Sequence, residues 1–218
     1  MAIRRIRTKA DLNEGVAALV ASCPHMSRVH ALSGAPPLRR RPAGFKGLAR
    51  VITAQQLSVA SASAIWQRLE ARVRPFTAAS FLAVPETELR RAGLSRVKVA
   101  TLRGLARVLD ESTLDLDALA HAPEEEIHAK LTALKGIGPW TADIYILFCL
   151  ARADAWAPGD LALQYAVRDA LRLDARPSLD EMVEIAEIWR PWRGVAARLL
   201  WAYYGVRRQS ASRSGLPA

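Results

Sequence analysis

Three observations predict an all-α fold. Apolar residues recur every three to four positions along the chain, no segment alternates with period two, and helix-start signals precede most of the apolar runs. With 218 residues, 51% of them hydrophobic, the chain is long and apolar enough to bury a proper core. No stretch approaches the roughly 18 unbroken apolar residues of a spanning helix, and the opening MAIRRIRTKADLNEG lacks a signal-type apolar centre. A soluble cytoplasmic protein is therefore expected, with no membrane partner.

Element by element, Thr8 caps a first helix that runs to Ser22 and ends at Cys23-Pro24. Gly34 to Pro42 is a stiff, proline-rich connection. A helix from Ala43 to Ala54 follows, and Gln55-Gln56-Leu57 forms a polar corner before Ser58 caps the next helix, to Val73. Thr77–Val84 and Glu86–Ala92 read as two short helices divided by Pro85, with Gly93 as a left-handed stop. Ser95 to Leu109 is amphipathic, with Lys98, Arg103 and Arg107 placed outward. Pro123 opens a helix whose first turn is Glu124-Glu125-Glu126, which complements the helix dipole. Pro139 opens a helix that is apolar nearly all round and so belongs in the centre of the molecule. After a loop from Arg152 to Gly159, Asp160 precedes a helix to Leu173. Ser178 and Glu181 form a capping box, and Trp189–Tyr204 is the last helix, stopped by Gly205. The chain suits one large domain or two small lobes over residues 1–208, with a flexible tail at 209–218.

The charge narrows the class of partner. A net charge of +10, with arginines grouped at Arg39–Arg41 and again from Arg190 to Arg208, suits a polyanion, nucleic acid first. The two cysteines, Cys23 and Cys149, lie in apolar helical surroundings; two thiols alone build neither a zinc nor an iron–sulfur site.

The most informative stretch is LTALKGIGPWTADIY, from Leu131 to Tyr145. Two helices joined by a tight Gly-x-Gly turn, spanning about 124–150, point backbone N–H groups outward at a helix N-terminus, which holds phosphate without any side chain. Gly136 supplies a positive φ and Gly138 lets a phosphate approach the backbone. Lys135 lies inside the turn, and Ile137 between its glycines. The carbonyls of Thr132, Leu134 and Ile137 are placed to share a monovalent cation, Na+ or K+, with that phosphate; no other cofactor is expected.

LKGIGPWTADIY, the Pro-Gly-Asp at Pro158 to Asp160, AQQLS at Ala54 to Ser58, AGLSRVK at Ala92 to Lys98 and WRPWRGVAARLLW at Trp189 to Trp201 together resemble the helix-hairpin-helix superfamily of base-excision DNA glycosylases. The branch most similar is 3-methyladenine DNA glycosylase II. The resemblance runs from Pro42 to Tyr204, and the compact form, without an N-terminal β-rich lobe, is expected. It implies a monomeric enzyme that binds double-stranded DNA containing damaged bases, flips the lesion out and hydrolyses its N-glycosidic bond.

The resemblance also implies roles for single residues. Asp160 falls on the catalytic aspartate. Trp140 stands where bifunctional relatives carry a lysine nucleophile, so release of the base without strand cleavage is expected. Trp140 and Trp201 match aromatic positions that line the base pocket. The pocket tyrosine of longer members falls at Ile144, with Tyr145 beside it as a substitute. Gln56, or alternatively Leu57, would fill the gap left by the flipped base. The substrates implied are alkylated purines such as 3-methyladenine and 7-methylguanine, with hypoxanthine and etheno-adenine as further candidates. Two alternatives stay open on sequence alone: a non-catalytic DNA-binding protein that keeps the hairpin, and a glycosylase for a different lesion.

Overall fold

In the computed structural model of the protein, residues 3–214 are described, with side chains through residue 210. Among them the secondary structure is helical throughout, apart from an isolated antiparallel bridge between Arg5 and Arg152. The chain divides into two compact units, one built from Met1–Arg40 with Ala151–Ala218, the other from Arg41–Leu150. None of the described helices is long and apolar enough to cross a membrane.

The N-terminal part of the discontinuous unit holds α1 (Lys9–Ser22) and α2 (Pro24–Ser33). Thr8 and Asp11 close a reciprocal capping box on α1, so both ends of that first turn have their donors satisfied. The sequence predicts a stop at Cys23-Pro24 and no helix between there and Gly34. In fact Cys23 ends one helix and starts the next, because proline at a first helical position costs no hydrogen bond.

The continuous unit contains α3 (Gly44–Ala54), α4 (Val59–Arg72), α5 (Ala78–Ala83), α6 (Glu86–Arg91), α7 (Arg96–Asp110), α8 (Leu116–Leu119), α9 (Glu124–Thr132) and α10 (Pro139–Phe148). Ser58, Thr77 and Ser95 each cap a helix through their hydroxyl oxygen. The short α8, capped by Asp115, interrupts what the sequence presented as a plain acidic connection. Helix α10 is the centre of this unit: every residue from Thr141 to Phe148 is buried. Each fully buried Ile, Leu or Phe there contributes roughly 1.5–3 kcal/mol. Cys149 is also buried, which pushes its thiol up to about 12, so it packs as a small apolar side chain.

The discontinuous unit is completed by α11 (Leu161–Leu171), α12 (Leu179–Ala186), a 3-10 turn (Glu187–Trp189) and α13 (Arg193–Ser214). Helix α13 packs on α1, α2 and α11. The fit is close: a Cβ added to Gly15 of α1 would lie 2.6 Å from the Trp192 ring. The last helix begins at Arg193 and not at Trp189, because Pro191 has no N–H to carry the ladder through. Gly205 does not stop it; the helix continues to Ser214, which corrects the expected tail from residue 209 as far as that point. Residues 215–218 of that tail lie outside the described residues.

Candidate functional site

The segment that leads to Asp160 is held firmly although it is not helical. The amide of Ile6 donates to the Ala151 carbonyl at 2.7 Å, and that of Ala153 to the Arg4 carbonyl at 3.0 Å. Asp154 accepts from both Arg190 and Arg193. Trp156 is 7% exposed and donates its indole N–H to the Met182 carbonyl at 2.9 Å. A chain anchored at these points delivers Asp160 to the N-terminus of α11 in one orientation.

Asp160 is the N-cap of α11. Its Oδ1 accepts the Leu163 amide at 2.9 Å and the Trp201 indole N–H, also at 2.9 Å. Gln164, 8% exposed, donates to the Pro158 carbonyl at 2.8 Å and braces the turn just before the acid. Two donors converging on Oδ1 fix the orientation of the carboxyl group, the preorganisation that lets a fixed charge act on a developing positive one. Trp201, on α13, is half-buried. The sequence placed both residues in a site, but their bond spans 41 positions and no spacing rule announces it.

In the other unit, the hairpin between α9 and α10 closes through a hydrogen bond from the Ile137 amide to the Leu134 carbonyl at 3.0 Å. Gly136 has φ +86, and a Cβ there would lie 2.0 Å from Thr101 Oγ1 on α7. This glycine is thus required twice, by its backbone and by its neighbour. Gly138 caps α10 with no side-chain hydrogen bond, and a Cβ on it would meet nothing within 4 Å. Among the described residues, no acceptor takes the amides of Gly136 and Gly138. Lys135 is exposed beside them, whereas Ile137 turns its side chain into the core at 3% exposure. Ile137 thus offers the surface only backbone atoms. Trp140, in the first turn of α10, is half-buried.

Tyr145 sits elsewhere than a ligand-facing position. It is 1% exposed, its hydroxyl accepts the Gly44 amide at 3.0 Å, and burial pushes its phenol above the ordinary range. It is a core residue of the continuous unit.

Between α3 and α4, Gln56 is exposed and left-handed at φ +54, and Leu57 is 40% exposed. Two further residues, Lys98 and Gln55, support this corner. Lys98, read as an outward face, instead donates Nζ to the carbonyls of Thr53 at 2.8 Å and Gln55 at 2.7 Å. Gln55 donates Nε2 to the Gly136 carbonyl at 3.2 Å and to Thr141 Oγ1 at 2.8 Å. Arg103 also turns inward, onto the Val84 carbonyl at 2.6 Å, where it satisfies the end of α5. A second acid, Asp143, lies on α10 at 8% exposure, with His128 Nε2 3.4 Å from its Oδ1. Burial, with the nearby charge of Glu124, pushes it up to about 7. Among the described residues no cluster of three or more His, Cys, Asp or Glu side chains could hold a metal.

Comparison with known proteins places these features in a context. Residues 49–191 match the family model described as HhH-GPD superfamily base excision DNA repair protein. DNA-3-methyladenine glycosylase 1 of Schizosaccharomyces pombe is 29% identical over 161 residues, 72% of this chain and 71% of that protein. Two Bacillus subtilis relatives are longer, and the chain spans only 40% and 38% of their lengths. Among solved structures, a 3-methyladenine DNA glycosylase of the same yeast in complex with abasic DNA aligns with TM-score 0.80 at 25% identity, over 86% of this chain and 95% of that one. A DNA-3-methyladenine glycosidase of Bacillus halodurans aligns with TM-score 0.77 at 28% identity, over 96% of this chain and 95% of that one.

Proposed function

Since the chain belongs to the HhH-GPD superfamily of base excision DNA repair proteins, we propose that it is a monofunctional DNA glycosylase that releases alkylated purines from double-stranded DNA and leaves an abasic site. The observation that carries this reading is the doubly bonded Asp160, whose Oδ1 is held by Leu163 and Trp201. The Leu163 bond caps α11 and would serve a protein that only bound DNA, whereas the Trp201 indole held to the same oxygen adds nothing to that cap.

The chemistry follows from charge. An alkylated purine such as 3-methyladenine or 7-methylguanine already carries a positive charge, so its ring leaves with the electron pair of the glycosidic bond without prior protonation. Positive charge then builds on the sugar. Asp160 stabilises it electrostatically, and water adds to the anomeric carbon and gives its proton to the carboxylate or to solvent. Trp140 and Trp201 each supply an electron-rich face to the cationic ring, worth about 1–2 kcal/mol for a well-placed stack. No lysine stands at position 140 to form a Schiff base, so the strand stays intact.

Binding is assigned to the hairpin. The amides of Gly136 and Gly138 at the N-terminus of α10 take a DNA phosphate, and Lys135 adds a second charge close by. The carbonyls of Thr132, Leu134 and Ile137 are neutral oxygens, a donor set suited to Na+ or K+ and not to a transition metal. Gln56 fills the gap left by the flipped nucleotide, with Leu57 as its apolar neighbour. Tyr145 is assigned to the core and not to the base. The protein acts as a monomer.

The direct experiment incubates the protein with methylated duplex DNA and separates the released bases by chromatography. Free 3-methyladenine or 7-methylguanine with unbroken strands is the expected result. Tight DNA binding with no base released from a broad panel of lesions would overturn the reading.

A further inference from the structure

Gln56 poses a problem of conformation. It is a non-glycine residue at φ +54, a state that costs about 1–2 kcal/mol and persists only where the surroundings impose it. Its own side chain is exposed and does not supply that constraint.

The residues on either side supply it. Gln55 is held at both ends: its carbonyl accepts from Lys98 Nζ at 2.7 Å, and its side chain bonds to the Gly136 carbonyl and to Thr141 Oγ1. The same Lys98 ammonium takes the Thr53 carbonyl at 2.8 Å. It thus meets the negative end of the α3 dipole, where a cation is favoured. Two residues after Gln56, Ser58 caps α4 through the Ser61 amide at 3.1 Å. The backbone has little freedom between these two fixed points.

The same support reaches the hairpin. Lys98 and Thr101 lie one turn apart on α7, and Thr101 Oγ1 occupies the space beneath Gly136. One helix therefore carries the Gln56 corner on one residue and the hairpin on the next residue of the same face. Gln55 ties the two together directly.

We propose that Lys98 and Gln55 are positioning residues that lock Gln56 in its left-handed conformation and register it to the hairpin, so that filling the gap in DNA and gripping its backbone occur as one event. This rests on the assignment of Gln56 as the gap-filling residue, and it goes beyond the glycosylase reading by naming what presents that residue and what couples it to the phosphate anchor.

The test is the ratio of affinities for a duplex carrying an abasic-site analogue and for the same duplex undamaged. Loss of a positive charge weakens both complexes alike, so the ratio isolates gap filling from general electrostatics. Gln56→Ala sets the reference, with an expected fall in the ratio of about tenfold. Lys98→Met should fall as far, Lys98→Arg should recover most of the loss, and the double variant Lys98→Met with Gln56→Ala should fall no further than either alone. Gln55→Leu, which removes the tie to the hairpin and leaves the Lys98 bonds to the backbone, repeats the test should Lys98→Met fail to fold by circular dichroism. A ratio unchanged from wild type in folded Lys98→Met or Gln55→Leu, or losses that add in the double variant, would overturn the proposal. So would a wild-type ratio of one. A wild-type preference for the abasic duplex that collapses in these variants, from a protein that releases no base, would sink the glycosylase reading and leave the proposal standing.

Discussion

The indole of Trp201 donates to Oδ1 of Asp160 at 2.9 Å, and the Leu163 amide converges on the same oxygen at the same distance. An aromatic residue that the sequence suggests only as a stacking face thus also sets the orientation of the acid. The two roles separate in Trp201→Phe, which keeps an aromatic ring and loses the donor. A hydrogen bond to a charged group is worth about 1.5–3 kcal/mol, so single-turnover base release should fall roughly 10–100-fold in that variant. In an Asp160→Asn background the same substitution should cost much less, since the bond acts through the carboxylate. Equal losses in the two backgrounds would leave stacking as the sole role.

The two hairpin glycines should respond differently to alanine. At Gly136 a Cβ meets Thr101 Oγ1 at 2.0 Å on a backbone of positive φ, so Gly136→Ala should lower the melting temperature and weaken DNA binding together. At Gly138 a Cβ meets nothing of the protein within 4 Å. Gly138→Ala should therefore melt near the wild-type temperature yet bind duplex DNA about tenfold more weakly, because its methyl group stands where a phosphate would approach. Calorimetry and a binding titration on the same samples check both statements.

With Trp140 in place of an amine, no covalent enzyme–DNA complex should form. Borohydride added during turnover on lesion-containing duplex should trap nothing that survives denaturing electrophoresis. A trapped species would mean that an amine elsewhere in the protein attacks the sugar.

Asp143 gives the stability a pH dependence of known sign. Burial and the charge of Glu124 raise it from 3.8 to about 7 in the folded protein, with His128 alongside at 3.4 Å. Between those values the folded state binds more protons than the unfolded state. The contribution is therefore fully present below about pH 4 and is lost as pH rises through about 7. Melting temperatures recorded across this window should show a downward trend with pH that Asp143→Asn flattens.

Local chemistry made most of the elements readable. Thr8, Ser58, Ser95 and Ser178 announce their helices because a capping hydroxyl acts within three residues of itself. The hairpin was legible for the same reason, as was the acid in front of α11. What escaped depends on distance or on competition. Lys98 and Arg103 have the spacing of a solvated face, yet each ends on carbonyls of another helix that only the tertiary fold brings near. Tyr145 resembles a pocket residue by its neighbours in sequence, but packing takes it into the core. Gly205 carries a stop signal that α13 overrides, as a glycine can occupy a helix interior at a cost of only about 1 kcal/mol.

Chemistry at Asp160 and binding at the hairpin separate in Asp160→Asn, a near-isosteric change that keeps an oxygen able to accept from Leu163 and Trp201. Release of 3-methyladenine and 7-methylguanine under single-turnover conditions should fall by about a thousandfold or more, with affinity for duplex DNA close to wild type. Base release by Asp160→Asn within a few fold of wild type would mean that Asp160 does not carry the chemistry.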